Sequence, residues 1–233
     1  MKRLVKPVRF VLRHAIYITM RASYRLRVHG REHLPARGAA LVVCNHVSFM
    51  DALVLGGASP RPLRFVMDQP IYDSPWLKWW FLLVGAIPVE SERRTPAGLR
   101  RTLGKISEAL RDGEVVMIFP EGRLTPDGEV QAFRRGLETM LSRDNVPVVP
   151  AGLAGLWGSW ASRCNGPAFK KWPRRFRARV QVTFGPPILA QEAQDTALRH
   201  YLQARVVALK AAGEQDIARR EQAGEKSVQS RNK

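Results

Sequence analysis

Cysteine is scarce in this chain. Cys44 and Cys164 are the only two in 233 residues, too few for a disulfide framework and without a metal-ligand spacing around them. Such usage points to a reducing compartment, and Cys44, at the end of an apolar run, reads as a small buried residue. Long apolar runs are also missing. A membrane-spanning helix needs about 20 apolar residues. The longest uncharged stretch, 145–162, is broken by Pro147, Pro150, Gly152, Gly155 and Gly158. The patch Ala15-Ile16-Tyr17-Ile18-Thr19-Met20 is too short for a secretory signal, and basic residues follow it. Acids are absent from residues 1–31 and from 145–191. No Gly-x-Ser-x-Gly elbow and no glycine-rich phosphate loop ending in Lys-Ser or Lys-Thr occurs, which removes serine-hydrolase and P-loop chemistry from the first choices.

Basic charge is what the chain has in excess. Its 38 Lys and Arg against 20 Asp and Glu leave a formal charge of +18, which calls for an anionic partner. Apolar and aromatic residues separate the cations in both acid-free stretches, the pattern of segments that lie in a lipid interface. Nucleic acid is disfavoured, because no zinc-finger spacing, RNA-binding strand signature or helix-turn-helix is present. An anionic membrane surface is the expected partner.

The hydrophobic pattern divides the chain into a basic amphipathic segment over residues 1–25, a domain over 26–212 and a charged, weakly apolar tail over 213–233 that is expected to fray. In the first, Leu4, Val8, Val11, Leu12 and Ile16 recur at helical spacing, and interfacial docking is expected of it. Strands are expected at Leu26 to His29, Ala40 to Cys44, Leu63 to Met67, Ala86 to Val89, Val115 to Phe119, Val146 to Pro150 and Val180 to Phe184. Helices are expected at Asp51 to Gly56, Pro75 to Leu83, Thr95 to Arg111 and Ala132 to Ser142, and from Gln191 to about Ala212. Thr95-Pro96 is a good helix start and Gly113 a good stop. This alternation predicts an α/β fold, a mostly parallel central sheet flanked by helices.

Two polar clusters follow two apolar runs. Asn45-His46-Val47-Ser48-Phe49-Met50-Asp51 comes after Ala40 to Cys44, and Pro120-Glu121-Gly122-Arg123 after Val115 to Phe119. Chemistry in open α/β sheets collects beyond the carboxyl ends of parallel strands, so one shared site is expected. A neutral imidazole can take a proton from a hydroxyl near neutral pH, best when a carboxylate holds its other nitrogen. His46 and Asp51 are the candidate pair. Asn45 suits a turn cap, and with Ser48 it joins the candidate substrate-binding residues. Gly122 lets backbone approach a ligand, Arg123 can clamp a phosphate, and Glu121 can hold that Arg or receive a substrate hydroxyl. With no nucleophile evident, the substrate's own hydroxyl would attack an acyl donor.

Four blocks together resemble the glycerolipid acyltransferases of the lysophosphatidic acid acyltransferase-like group. Asn45-His46 through Asp51 fits the family's His-four residues-Asp motif. Gly85-Ala86-Ile87-Pro88-Val89-Glu90 lies where the second block belongs. Phe119-Pro120-Glu121-Gly122 matches the third and Val146-Pro147-Val148-Val149-Pro150-Ala151 the fourth. The resemblance implies transfer of a fatty acyl group from coenzyme A or acyl carrier protein to a lysophospholipid hydroxyl, lysophosphatidate first, with His46 as base and Asp51 as its partner. It implies neither metal nor bound cofactor, and a place on the cytoplasmic face of the inner membrane. Two departures bear on the acceptor. Arg123 is one place earlier than in the family's third block. Ser91 stands where the second block usually has Arg, with Arg93 and Arg94 just downstream as the candidate phosphate contacts. Lysophosphatidylethanolamine is the alternative acceptor. A thioesterase, and a non-catalytic module for anionic membranes or nucleic acid, are the rival functions. Trp76, Trp79 and Trp80 would line an acyl groove, sit at headgroup level, or face the core.

Overall fold

Among the described residues the apolar runs pair into one sheet of seven strands. The computed structural model describes residues 2–76, 78–90, 95–170, 172, 177–189 and 196–231. Its strands are β1 Arg25–His29, β2 Ala40–Cys44, β3 Leu63–Asp68, β4 Ile87–Val89, β5 Val115–Ile118, β6 Val148–Ala154 and β7 Arg179–Phe184, in the spatial order β1-β7-β6-β2-β5-β3-β4. From β6 to β4 all neighbours are parallel. The remaining pair runs the other way: β7 is antiparallel to β6, and β1 is parallel to β7. Parallel neighbours need a crossover, usually a helix. The chain between β6 and β7 contains no helix among its described residues, and it returns antiparallel.

The helices are α1 Lys2–Ser23, α2 Asp51–Ala58, α3 Gln69–Tyr72, α4 Lys78–Val84, α5 Pro96–Arg111, α6 Gly136–Arg143 and α7 Thr196–Arg231. They cover both faces of the sheet. Ala40, Val42 and Cys44 of β2 pack with Met20 of α1 and with Val54 and Leu55 of α2. Leu41 and Val43 point the other way, to Ile106 of α5, Leu137 of α6 and Leu202 of α7. A strand buried on both sides needs apolar residues at every position, which is why β2 shows no alternation. At the start of α5 the Thr95 hydroxyl accepts from Gly98 N at 3.0 Å with Pro96 in the first turn, and Gly113 adopts φ 74° beyond its end.

Four elements differ from their expected bounds: α4 begins at Lys78 and α6 at Gly136, later than the expected Pro75 and Ala132, and β6 and α7 depart further. β6 begins later and runs through Gly152 to Ala154. A Cβ on Gly152 would come within 2.5 Å of the Leu209 and Lys210 backbone of α7. This glycine marks a helix lying on the strand, not a strand end. α7 does not stop near Ala212. Gly213 lies where a Cβ would come within 3.0 Å of Ala154, Ile217 is buried, and Arg220 donates from Nη2 to Gln181 Oε1 at 2.7 Å. Packing on β6 and β7 thus holds the helix through the weakly apolar stretch as far as Arg220, and the helix runs on to Arg231.

α1 is a single helix. Ile16, Tyr17, Met20 and the adjoining Tyr24 pack on the core, with the Tyr17 backbone against Gly57 of α2, while Phe10, Val11 and Ile18 stay exposed. Val11, expected on the apolar stripe, therefore lies on the outer surface. Trp76 and Trp79 are also exposed, which rules out a core-facing role for them. The Trp80 side chain lies outside the described residues.

Candidate active site

β2 and β5 are adjacent and parallel. Their carboxyl ends therefore deliver the first and third blocks to the same edge. The turn after β2 folds back so that the His46 Nδ1–H reaches Asp51 Oδ2 at 2.9 Å. The same oxygen accepts the backbone N–H of Val47 at 2.7 Å and of Ser48 at 2.9 Å. Three donors on one oxygen fix the carboxylate at the start of α2. Asp51 is wholly buried, and burial raises its carboxyl above the usual range against the pull of those hydrogen bonds. With Nδ1 donating to Asp51, Nε2 is left as the imidazole's acceptor, and among the described residues it has no partner. The ring stacks on Phe119 at 4.0 Å between centroids and 11° between planes, with 20% of the side chain exposed.

The third block holds the histidine from behind. Glu121 Oε1 accepts the His46 N–H at 2.8 Å, Oε2 accepts the Gln131 N–H at 2.9 Å, and the His46 carbonyl accepts Thr125 N–H at 2.9 Å. Both Glu121 oxygens are thus engaged by backbone, and the residue is buried. In this geometry Glu121 positions the histidine through its backbone. Burial pushes its carboxyl up to about 7.

Asn45 and Ser48 are likewise buried in the scaffold. Asn45 mimics a strand residue: Nδ2 donates to Leu153 O at 2.9 Å and Oδ1 accepts Leu153 N–H at 2.8 Å, joining the turn to β6. The Ser48 hydroxyl accepts from Met50 N at 3.2 Å and shares a hydrogen bond with the Ser159 hydroxyl at 3.3 Å. Neither was legible as a tie to the segment after β6, since their partners lie more than a hundred residues away.

Gly122 has φ 66°, and the group closest to its α-carbon face is the Arg134 side chain: a Cβ there would come within 2.5 Å of Nε. Arg134 donates from Nε to the Glu121 carbonyl at 3.0 Å and is exposed, as is Arg123. Sequence reasoning missed Arg134, because only folding lays it on the third block. It missed the stacking surface of Phe119 for the same reason. Arg93 and Arg94 lie outside the described residues. Cys44 is no competing nucleophile: burial pushes its thiol well up, and the nearby carboxylates Asp51 and Glu121 push it further. Among the described residues no group of His, Cys, Asp or Glu is arranged to hold a metal ion.

The profile of the acyltransferase family matches residues 25–154, more than half of the chain and all of this site. The chain belongs to the acyltransferase family. Over 139 residues it is 30% identical to a chloroplastic 1-acyl-sn-glycerol-3-phosphate acyltransferase of Arabidopsis thaliana, covering 59% of this chain and 38% of the plant protein. It is 26% identical over 143 residues to the 1-acyl-sn-glycerol-3-phosphate acyltransferase of Bacillus subtilis, covering 61% and 69%. With the Pseudomonas aeruginosa enzyme of that name it shares 28% over 186 residues, 77% and 65% of the two chains. The match thus spans well under half the length of the plant relative. The crystal structure of the 1-acyl-sn-glycerophosphate acyltransferase PlsC from Thermotoga maritima has the same fold, with a TM-score of 0.66 at 21% identity over 87% of this chain and 80% of that one.

Proposed function

We propose that this acyltransferase-family protein moves a fatty acyl group from a thioester donor, acyl-coenzyme A or acyl carrier protein, to the free hydroxyl of a lysophospholipid, 1-acylglycerol-3-phosphate first, giving phosphatidate. The observation that carries the reading is His46, held on Asp51 through Nδ1, with Nε2 without a partner among the described residues. Nε2 takes the proton of the acceptor hydroxyl as that oxygen attacks the thioester carbonyl. The tetrahedral centre collapses with loss of the thiolate, and the imidazolium returns the proton to it. The buried Asp51 carboxylate stabilises the imidazolium between those steps. No acyl-enzyme and no metal is required by this route. Exposed Arg123 and Arg134, both on the third block, supply fixed positive charge for the acceptor phosphate.

The acceptor is a membrane lipid, so the site must meet a bilayer. No described helix is long and apolar enough to cross one. The face of α1 that carries exposed Phe10, Val11 and Ile18 suits docking in the interface, on the cytoplasmic leaflet where a soluble thioester is at hand.

The test is acyl transfer by purified protein from acyl-coenzyme A and, separately, acyl carrier protein, across lysophosphatidate, lysophosphatidylethanolamine and related lysolipids, with His46→Ala as control. General-base removal should lower kcat about 10²–10⁴-fold with the fold intact. Retained activity in that variant overturns the mechanism. Thioester cleavage that ignores added lysolipid favours the thioesterase.

A further inference from the structure

The chain between β6 and β7 is not used by the chemistry, yet it is fastened to the catalytic turn. Phe49 N–H donates to Ala161 O at 3.2 Å, and Ser48 and Ser162 form a β-bridge. The Ser48 and Ser159 hydroxyls are 3.3 Å apart. On the other side the Trp157 ring fills the space beside Gly128, in the loop after the third block. The segment therefore touches both halves of the site. Because β6 is parallel to β2, it also leaves the sheet at the same edge as His46.

Its outer side is apolar and basic. Phe49, Phe169 and Trp160 form a cluster, with ring centroids 5.3 Å apart for Phe49–Phe169 and 4.9 Å for Trp160–Phe169, and all three remain exposed. Trp172 is 81% exposed. Phe169 adopts φ 63°, a left-handed conformation that bulky residues seldom take. It is held there by its N–H to Trp160 O at 2.9 Å and by the two rings. Arg163 and Lys170 are exposed beside these aromatics, and no acid occurs anywhere in residues 145–191.

We propose that residues 157–170, with Trp172, form a second membrane-contact element, which seats its aromatics at the headgroup level of an anionic bilayer and sets the height of His46 against the lipid. Amphipathic aromatics interleaved with cations match that environment. The catalytic turn would then be held near the interface from the side of this segment as well as by α1. The inference rests on the lipid-acylating reading above.

Cys164 lies in the segment, while Cys44 is wholly buried, so an environment-sensitive fluorophore can be attached to the native chain there. Addition of phosphatidylglycerol–phosphatidylcholine vesicles should shift its emission to the blue, and pure phosphatidylcholine should do so less. Arg163→Ser with Lys170→Ser should weaken co-sedimentation with the anionic vesicles roughly 25-fold, at about 1 kcal/mol per cation, and Trp172→Ser should weaken it further. Vesicle binding without a shift at Cys164, or without loss in these variants, overturns the proposal. So does a label already shifted before lipid is added because two copies of the chain associate through this surface. Acyl transfer to a detergent-dispersed lysolipid, measured on the same samples, reports separately on the proposed activity.

Discussion

Replacing Glu121 by Gln tests whether the third block acts as a clamp on His46. In the native chain each carboxylate oxygen accepts one backbone N–H, from His46 and from Gln131. The amide keeps one acceptor and turns its own N–H toward the other donor. The substitution removes the cost of ionising a buried carboxyl, a cost already net of those two hydrogen bonds. That group has an ordinary value of 4.5 and is pushed up to about 7 by burial. Between those values the folded protein holds the proton more tightly than the unfolded chain does. Native stability must therefore fall as pH rises through that window, by about 3 kcal/mol in all. The variant lacks this slope. Urea unfolding should show the two proteins of similar stability at about pH 5, where the native carboxyl is protonated and, like the amide, has one acceptor oxygen, and the native protein the less stable by about 2–3 kcal/mol at about pH 8. Despite its greater stability at the higher pH, the variant's kcat should be reduced at least about tenfold, because the His46 backbone has lost an anchor. Parallel pH profiles for the two proteins would refute the burial argument. Full activity in the variant would refute the clamp.

Three more outcomes follow from the geometry. Asp51→Asn should lower kcat about 10²–10⁴-fold. Its amide nitrogen would occupy the position of Oδ1, a buried oxygen without a partner, so unfolding should also show a loss of about 1–3 kcal/mol; steady-state rates within tenfold of native would contradict the assigned role. Arg123→Ala and Arg134→Ala should each raise the KM for lysophosphatidate more than they change kcat, and the effect should be absent with an acceptor that lacks a phosphomonoester. Gly152→Ala should destabilise by about 2 kcal/mol or more, because the new methyl would meet the α7 backbone at 2.5 Å; an unchanged thermal midpoint would show that the helix moves freely off β6.

The chain alone determined the α/β class, all seven strands to within a few residues, the start of α5 and the two clusters of the site. These are local properties. Short β-branched runs ended by Pro, Gly and polar residues specify buried strands wherever they occur, and a His five residues before an Asp can close its own hydrogen bond at a strand end. Tertiary structure decided the rest. Glu121, expected to face the substrate, is engaged by the backbone of a turn 75 residues earlier. Asn45, expected as a cap, is a rung between β2 and β6. Gly152 and Gly213 look like breakers in the sequence, yet they are where α7 and β6 approach each other, so the helix runs on past its expected end. Arg134 reaches the site only because the loop after the third block folds back over Gly122. Each of these roles depends on which distant backbone group a side chain meets, and that is settled by the order and direction of strands in the sheet, which no local pattern encodes.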